Sequence, residues 1–470
     1  MTASPKQATG GLGAWGDQSA HCDDPPKARP TQPSLTELLT ARPQLQANAL
    51  DGLLFEHVPL AAIAATHGTP SWVYGAGTLR ARTQRLSAAM PGIALHYAVK
   101  ANDHLAVLTV LAREGAGADV VSGGELHRAL KAGFRPANIV FSGVGKTQAE
   151  LALALDRNIG QINVESPEEL AMLSELASAE GRTAPVAFRV NPDVDANTHT
   201  KISTGRQGDK FGVPFPEIPA LYAHAAKLPG IALRGLAVHI GSQIFTMAPY
   251  RSAYGKLASL VRQLRAQGLP VHTVDCGGGL GVPYQNEPAP LPEAWAAVIQ
   301  HAFAGLDLHL AIEPGRWIAA PAGLLLTRVI RTRRQGMIRP VVVLDAAMND
   351  LLRPAMYEAW HGIVPVGPTH LHAPTETTDI AGPVCESSDF FARGRALPPL
   401  PDGALVAILD TGAYGAVMSS TYNARPHAAQ LMVSDGAATL IRPRAPLESL
   451  WSDETVPSFP TYQGAHQKRP

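Results

Sequence analysis

The stretch His96-Tyr97-Ala98-Val99-Lys100-Ala101-Asn102-Asp103 decides how this chain is read. The apolar run Ile93-Ala94-Leu95 enters it as a buried strand. Asn102 or Asp103 then caps a helix whose apolar face is Leu105, Leu108, Leu111 and Ala112. Lys100 therefore stands where a strand stops and a helix begins. At such a place neighbouring groups and partial burial lower an amine's pKa and make it a nucleophile toward aldehydes. Taken alone, a lysine at this position reads first as an ordinary loop residue at a strand end, and the rest of the chain shifts that reading.

Moving outward, the chain repeats one unit: an apolar, β-branched run, a chemically loaded residue, then an amphipathic helical stretch. After Lys100 the runs fall at 118–121, 138–141, 161–164, 186–190, 235–240, 271–275 and 308–312. With the run before Lys100 they make the eight strands that close a (β/α)₈ barrel of the α/β class. Ser166-Pro167-Glu168-Glu169 predicts a capping box with Pro at the first helical position, followed by Leu170, Leu173 and Leu176. Beyond Pro321 the texture changes. Runs at 324–330, 341–344, 405–409, 431–433 and 439–441 are strand-like and separated by Pro- and Gly-rich turns, which predicts a β-rich second domain. The Pro- and Thr-rich piece 365–378 reads as an exposed loop. The organisation expected is a mobile tail over 1–34, a segment 35–70 packing with the β-domain, a barrel over 71–320, a β-rich domain over 321–450 and a second tail over 451–470.

Composition narrows the function classes. The 39 basic and 39 acidic residues cancel, so nothing favours nucleic acid or an anionic membrane as a partner. Cys22, Cys276 and Cys385 are too few and too scattered for a disulfide framework or a zinc site, so no metal is expected and a reducing, cytoplasmic setting is the simpler home. No apolar run approaches the roughly 20 residues of a membrane span.

Barrel enzymes place their chemistry at the C-terminal ends of the strands. Those ends are Lys100, Ser122, Ser142, Glu165, Asn191, His239, Gly277 and Glu313. Asp275-Cys276-Gly277-Gly278-Gly279-Leu280-Gly281 is a strand followed by a loop whose backbone N–H groups can approach a phosphate, or else a plain tight turn. In Glu313-Pro314-Gly315-Arg316 the acid can hold a proton on a ring nitrogen; a surface turn with a salt-bridged arginine reads equally. His239 closes an apolar strand, where a flat imidazole stacks on a ring or simply fills the core. A reactive lysine, a carboxylate for a ring nitrogen, a stacking histidine and two phosphate-cradling loops are together what pyridoxal phosphate needs. The β-rich half adds Arg353 and Tyr357 after one strand, Cys385-Glu386-Ser387-Ser388-Asp389 after Gly382-Pro383, and Tyr414 in the loop after another.

Jointly these motifs resemble the diaminopimelate decarboxylase family, fold-type-III pyridoxal-phosphate enzymes that pair an alanine-racemase-like barrel with a β-domain. The likeness runs from about residue 50 to 445. It includes Tyr97-Ala98-Val99-Lys100-Ala101-Asn102, Gly117-Ala118-Asp119-Val120-Val121-Ser122-Gly123-Gly124-Glu125, His239-Ile240-Gly241-Ser242-Gln243, the triple glycine, Glu313-Pro314-Gly315-Arg316, Cys385-Glu386-Ser387 and the Tyr414 loop. Ile202-Ser203-Thr204-Gly205 with Lys210-Phe211-Gly212 resembles the segment that separates this family from ornithine and arginine decarboxylases. The resemblance implies that Lys100 binds the cofactor aldehyde, His239 stacks on the ring and Glu313 pairs with its nitrogen. Ser242, Gly279, Gly315 and Tyr414 would surround the phosphate, with Asp119, Pro314 and Arg316 also lining the cofactor site. Arg316, Arg353, Tyr357 and Tyr414 would face a small amino-acid substrate, the two arginines and Tyr357 taking its distal carboxylate and Glu386 its distal ammonium. Cys385 would be the acid that protonates the carbon CO2 leaves, reaching the site from the partner subunit of a homodimer. Ser388 stands where the family usually has glycine. The rival readings are an ornithine, arginine or carboxynorspermidine decarboxylase or a racemase on the same site, and a non-catalytic pyridoxal-phosphate-binding relative.

Overall fold

The computed structural model describes residues 32–459 apart from 197–203, 207, 286, 335, 337 and 338. Most of the expected N-terminal tail, Ile202-Ser203 and the last eleven residues of the expected C-terminal tail lie outside the described residues.

Eight parallel strands form the barrel, in the order Ile93–Ala98, Gly117–Val120, Ile139–Phe141, Gln161–Val164, Ala184–Asn191, Ile231–Val238, Thr273–Asp275 and His309–Ile312. The last closes on the first, with Leu310 opposite Ile93 and Ile312 opposite Leu95. Gly117–Val120, Ile139–Phe141 and Gln161–Val164 are buried along their whole length. Strands covered by helices outside and packed side chains inside have no wet face, which is why they read as continuous apolar runs. The helix Gly123–Ala132 takes its cap from the end of the preceding strand. Ser122 Oγ accepts the Glu125 N–H at 3.2 Å, and Gly133, at φ 99°, ends that helix in the left-handed region where glycine alone is unstrained.

Two local expectations are corrected. The helix after Lys100 is capped by His104, not Asn102 or Asp103, because a short 3₁₀ turn, Val99–Ala101, carries the chain further before the α-helix starts. His104 Nδ1 accepts the Ala106 N–H at 3.1 Å, while Asn102 Oδ1 accepts the N–H of His104 itself. The capping box at Ser166 is only half formed. Ser166 Oγ accepts the Glu169 N–H at 3.2 Å, but the Glu169 carboxylate turns to the Glu165 N–H and to Lys146.

The second sheet runs Phe390–Leu397, Glu376–Ala381, Val341–Leu344, Gly323–Arg333, Ser71–Gly75, Ala429–Ser434 and Ala437–Arg442, with Leu405–Ile408 also on Gly323–Arg333 and Ile363–Pro365 beyond it. Ser71–Gly75, which falls within the range 71–320 given to the barrel, lies inside this sheet, antiparallel to Gly323–Arg333 and parallel to Ala429–Ser434. All five of its residues are buried, as a central strand requires. Segment 365–378 is not a plain exposed loop. It holds the helical turn Pro368–Leu371 and the start of Glu376–Ala381, and Val366 O accepts the Leu53 N–H at 2.9 Å. Leu38, Leu53, Phe55 and Leu60 share one apolar core with Val73, Leu324, Val364 and Leu431.

Candidate active site

The barrel's carboxyl ends converge as the strand-end reading requires, and they divide into a cleft and a frame. Lys100, His239, Ser242, Gly279, Glu313, Pro314, Gly315, Arg316 and Tyr414 all line one cleft. Asp119 stands behind it, fully buried, with its Oδ2 2.7 Å from Lys100 Nζ. Ser142, Glu165 and Asn191 serve the frame instead. Asn163 Nδ2 donates to Ser142 Oγ at 3.0 Å. Glu165 accepts from Arg189, from the Gly143 N–H and from the Gly212 N–H, tying the loop before residue 213 to the barrel.

The electrostatics correct one expectation about Lys100. Burial alone lowers its pKa, but the negative charges of Asp119 and Glu313 outweigh this, and the ammonium is held above its usual range. The resting lysine is therefore a cation parked on Asp119, not a pre-formed free amine. His239 goes the other way: burial, then Arg189 and Lys100, push it well below the usual imidazole value. It is a neutral ring whose Nδ1 accepts the Gly278 N–H at 3.1 Å, leaving the proton on Nε2. Burial, with Asp119 and Asp275 adding their charges, raises Glu313 well above the ordinary carboxylate range.

These residues fit pyridoxal phosphate. An amine, a flat neutral imidazole and a buried carboxyl group share one cleft, and Glu313 Oε1 has no hydrogen-bond partner among the described residues. The glycine loop is pressed between strands. A Cβ on Gly279, at φ 102°, would lie 2.3 Å from Gly241 O, so only glycine lets the backbone run so close. Gly277 O accepts the Glu313 N–H at 2.7 Å, which locks the loop to the next strand. On the far wall Tyr414, at φ 55°, donates its N–H to Ala101 O at 2.8 Å. This left-handed non-glycine residue is held beside the turn that carries Lys100.

A second cavity of about 250 Å³ adjoins the cleft through Arg316, which lines both; Arg353 and Tyr357 line it too, with Tyr284, Gln243 and Glu287. Arg316 and Arg353 are 8% and 5% exposed, and among the described residues neither has a carboxylate partner. They lie instead on ring faces, Arg316 4.6 Å from the centre of Tyr414 and Arg353 4.8 Å from that of Tyr284. Arg316 Nε donates to Ser242 Oγ at 3.1 Å, and Arg353 Nη1 lies 2.7 Å from His361 Nε2. Two buried guanidiniums thus flank an open volume with no carboxylate paired to either among the described residues.

Cys385 and Glu386 line neither cavity and are exposed on the chain's surface, in a loop where Asn423 Oδ1 accepts the Cys385 N–H at 2.9 Å. Sequence reasoning passed over Tyr284 and His361. Tyr284 follows the glycine loop within a few residues, a signal that could have found it; His361 has no local signature. Among the described residues no cluster of His, Cys, Asp or Glu is arranged to hold a metal ion, and no helix is long and apolar enough to cross a membrane.

Comparison with known proteins now bears on this geometry. Residues 76–320 match the pyridoxal binding domain of pyridoxal-dependent decarboxylases. The diaminopimelate decarboxylase of Zymomonas mobilis is 45% identical over 409 residues, covering 86% of this chain and 96% of that protein. The Vibrio cholerae diaminopimelate decarboxylase is 45% identical over 411 residues, covering 86% and 97%. Among solved structures, the diaminopimelate decarboxylase of Helicobacter pylori in complex with L-lysine has a TM-score of 0.81 at 40% identity, covering 84% of this chain and 98% of that one. With its barrel, its lysine-bearing cleft and this breadth of sequence identity, the chain belongs to the diaminopimelate decarboxylases, pyridoxal-phosphate-dependent carboxy-lyases.

Proposed function

We propose a division of labour among the residues of this site for the family's reaction, in which meso-2,6-diaminopimelate loses one carboxylate as CO2 and leaves as L-lysine. The observation that carries it is the pair Arg316 and Arg353, buried without carboxylate partners beside the cleft of Lys100. Lys100, held by Asp119 Oδ2 at 2.7 Å, offers its amine to the cofactor aldehyde once its ammonium proton has left. Pyridoxal phosphate, when bound, supplies the electron sink for the carbon that loses CO2. His239 offers a neutral face to the ring, Glu313 an acceptor for its nitrogen proton, and Ser242, Gly279 and Gly315 surround the phosphate with Tyr414. Arg316, Arg353 and Tyr357 hold the distal carboxylate, and so set the distance between it and the reacting carbon. Exposure of Cys385 and Glu386 supports their serving a partner's site in a homodimer, Cys385 returning the proton and Glu386 receiving the distal ammonium. A cytoplasmic setting suits a free thiol in that role.

A site built around two cations rejects analogues that lack the anion by a factor on the order of 10⁴. The comparison of kcat/KM for meso-diaminopimelate, lysine, ornithine and arginine tests this, and ornithine or arginine within tenfold of diaminopimelate sinks the assignment. Arg353→Ala is expected to lose about 2–5 kcal/mol of transition-state binding. For the shared site, Lys100→Ala and Cys385→Ala chains are each nearly inactive alone. Mixed dimers carry one intact site, so random mixing restores roughly a quarter of normal activity. No recovery from demonstrated mixed dimers places both residues in one chain's site.

A further inference from the structure

Beneath the cleft lies a buried acid that the assignment above does not use. Asp275 ends the strand Thr273–Asp275, next to the strand that ends before Glu313, with Asp275 opposite Ala311. The two carboxyl groups are within hydrogen-bonding reach of each other, and both side chains are buried. Asp275 Oδ1 accepts the Gly277 N–H at 2.9 Å. The remaining oxygens, Asp275 Oδ2 and Glu313 Oε1, have no donor among the described residues.

Two carboxylates cannot both stay charged in such a place. The titratable groups facing them are His96, Asp119 and Lys100. Lys100, paired with Asp119, also pulls Glu313 downward, but burial and the neighbouring acids outweigh it. Burial lowers His96, so it is a neutral ring, and its Nδ1 has no partner among the described residues. A proton between the carboxyls relieves the repulsion and satisfies both orphaned oxygens at once.

Resting on the assignment of Glu313 to the ring nitrogen, we propose that Asp275 and Glu313 share one proton, and that with the ring nitrogen opposite Glu313 the proton lies on Asp275, which then orients the Glu313 carboxylate toward that nitrogen. Asp275 is then a positioning residue. Its Oδ1 fixes the glycine loop and its carboxylic O–H fixes Glu313, so one side chain aligns the phosphate cradle with the ring-nitrogen partner. Burial raises both carboxyls, while the contact between them lifts Glu313 and lowers Asp275, as one proton held between two acids requires. Asparagine reproduces a neutral aspartic acid here: its carbonyl can accept from Gly277 and its amide can donate to Glu313.

The test uses the full-length protein with three variants. In the cofactor-free protein at neutral pH, the infrared difference between wild type and Asp275→Asn should contain the carbonyl band of a protonated carboxylic acid. Asp275→Asn should bind pyridoxal phosphate within about threefold of wild type. Asp275→Ala, which leaves Glu313 without its donor, should weaken that binding roughly tenfold or more. A difference spectrum without the acid band overturns the shared proton. Asparagine weakening the cofactor as much as alanine overturns the neutral-donor role, even where the alanine variant folds poorly. Glu313→Gln is the control on the underlying assignment. If it leaves cofactor affinity unchanged while the acid band is present, the ring contact fails and the carboxyl pair stands.

Discussion

Lys100 and Lys146 follow the first and third strands of the same barrel, and both are drawn inward by an acid. Lys100 Nζ lies 2.7 Å from Asp119, and Lys146 Nζ 2.6 Å from Glu169. They differ in what remains of each ammonium's bonding capacity. Beside this ion pair Lys146 donates to Gly143 O at 2.6 Å and to Asn163 O at 2.8 Å, and its side chain is 0% exposed. Lys100 has one acceptor among the described residues and keeps 34% of its side chain open to the cleft. Burial beside a carboxylate therefore does not mark a reactive lysine. An unfilled bonding shell facing a cavity does.

The sharpest way to break this contrast is to exchange the lesions. Lys100→Ala should bring decarboxylation to background and abolish covalent attachment of the cofactor. Borohydride reduction of the wild-type holoenzyme should place the pyridoxyl adduct on the peptide containing Lys100. An adduct on Lys146 reverses the comparison outright.

Lys146→Met is expected to do the opposite. Its adduct still forms on Lys100, but Glu169 and two backbone carbonyls lose their partner in the interior. Removing one member of a buried ion pair costs about 3–5 kcal/mol. The unfolding free energy should fall by that amount in denaturant titrations, with the cofactor's attachment site unchanged. A Lys146→Met protein of wild-type stability shows that this buried arrangement is not structural.

How much of this was legible follows from the range of each interaction. The barrel strands, the Ser166 cap and the glycine loop are signals written within a few residues, and they are present near their expected places. The cleft residues were legible because a barrel brings all its strand ends to one rim, so a list of ends is already a list of neighbours. Pairings across the chain were not. Nothing local announces that Arg42 bonds Asp410, that Asp275 faces Glu313, or that Ser71–Gly75 enters the second sheet. The charge state of Lys100 was misread for the same reason: its position suggested a lowered pKa, but Asp119, nineteen residues on, determines it. Tyr284 and His361 around Arg353 likewise come from different strand ends and loops.

The smallest expected effect sharpens the comparison from the acids' side. Lys146 neutralises its acid directly, whereas Glu125, behind Lys100, has no salt bridge among the described residues and accepts the Val121 N–H at 2.8 Å. Burial raises its carboxyl from 4.5 to about 7, with the Val121 N–H and Lys100 pulling the other way. Between those two values the folded state binds the proton more tightly than the unfolded chain, so unfolding releases it and stability falls as pH rises. The contribution is complete below about 4.5 and gone above about 7. Glu125→Gln removes the titration while keeping an oxygen for the Val121 N–H. Relative to this variant, wild type should lose about 1–3 kcal/mol between pH 4.5 and 7.5, the lower figure allowing for partial exposure. Tm measured for both proteins across that window reads the difference directly. Other buried acids, Asp275 and Glu313 among them, titrate in both proteins and cancel. Parallel curves mean that Glu125 is ionised at no cost, and that the Lys100 corner is as fully neutralised as the Lys146 corner.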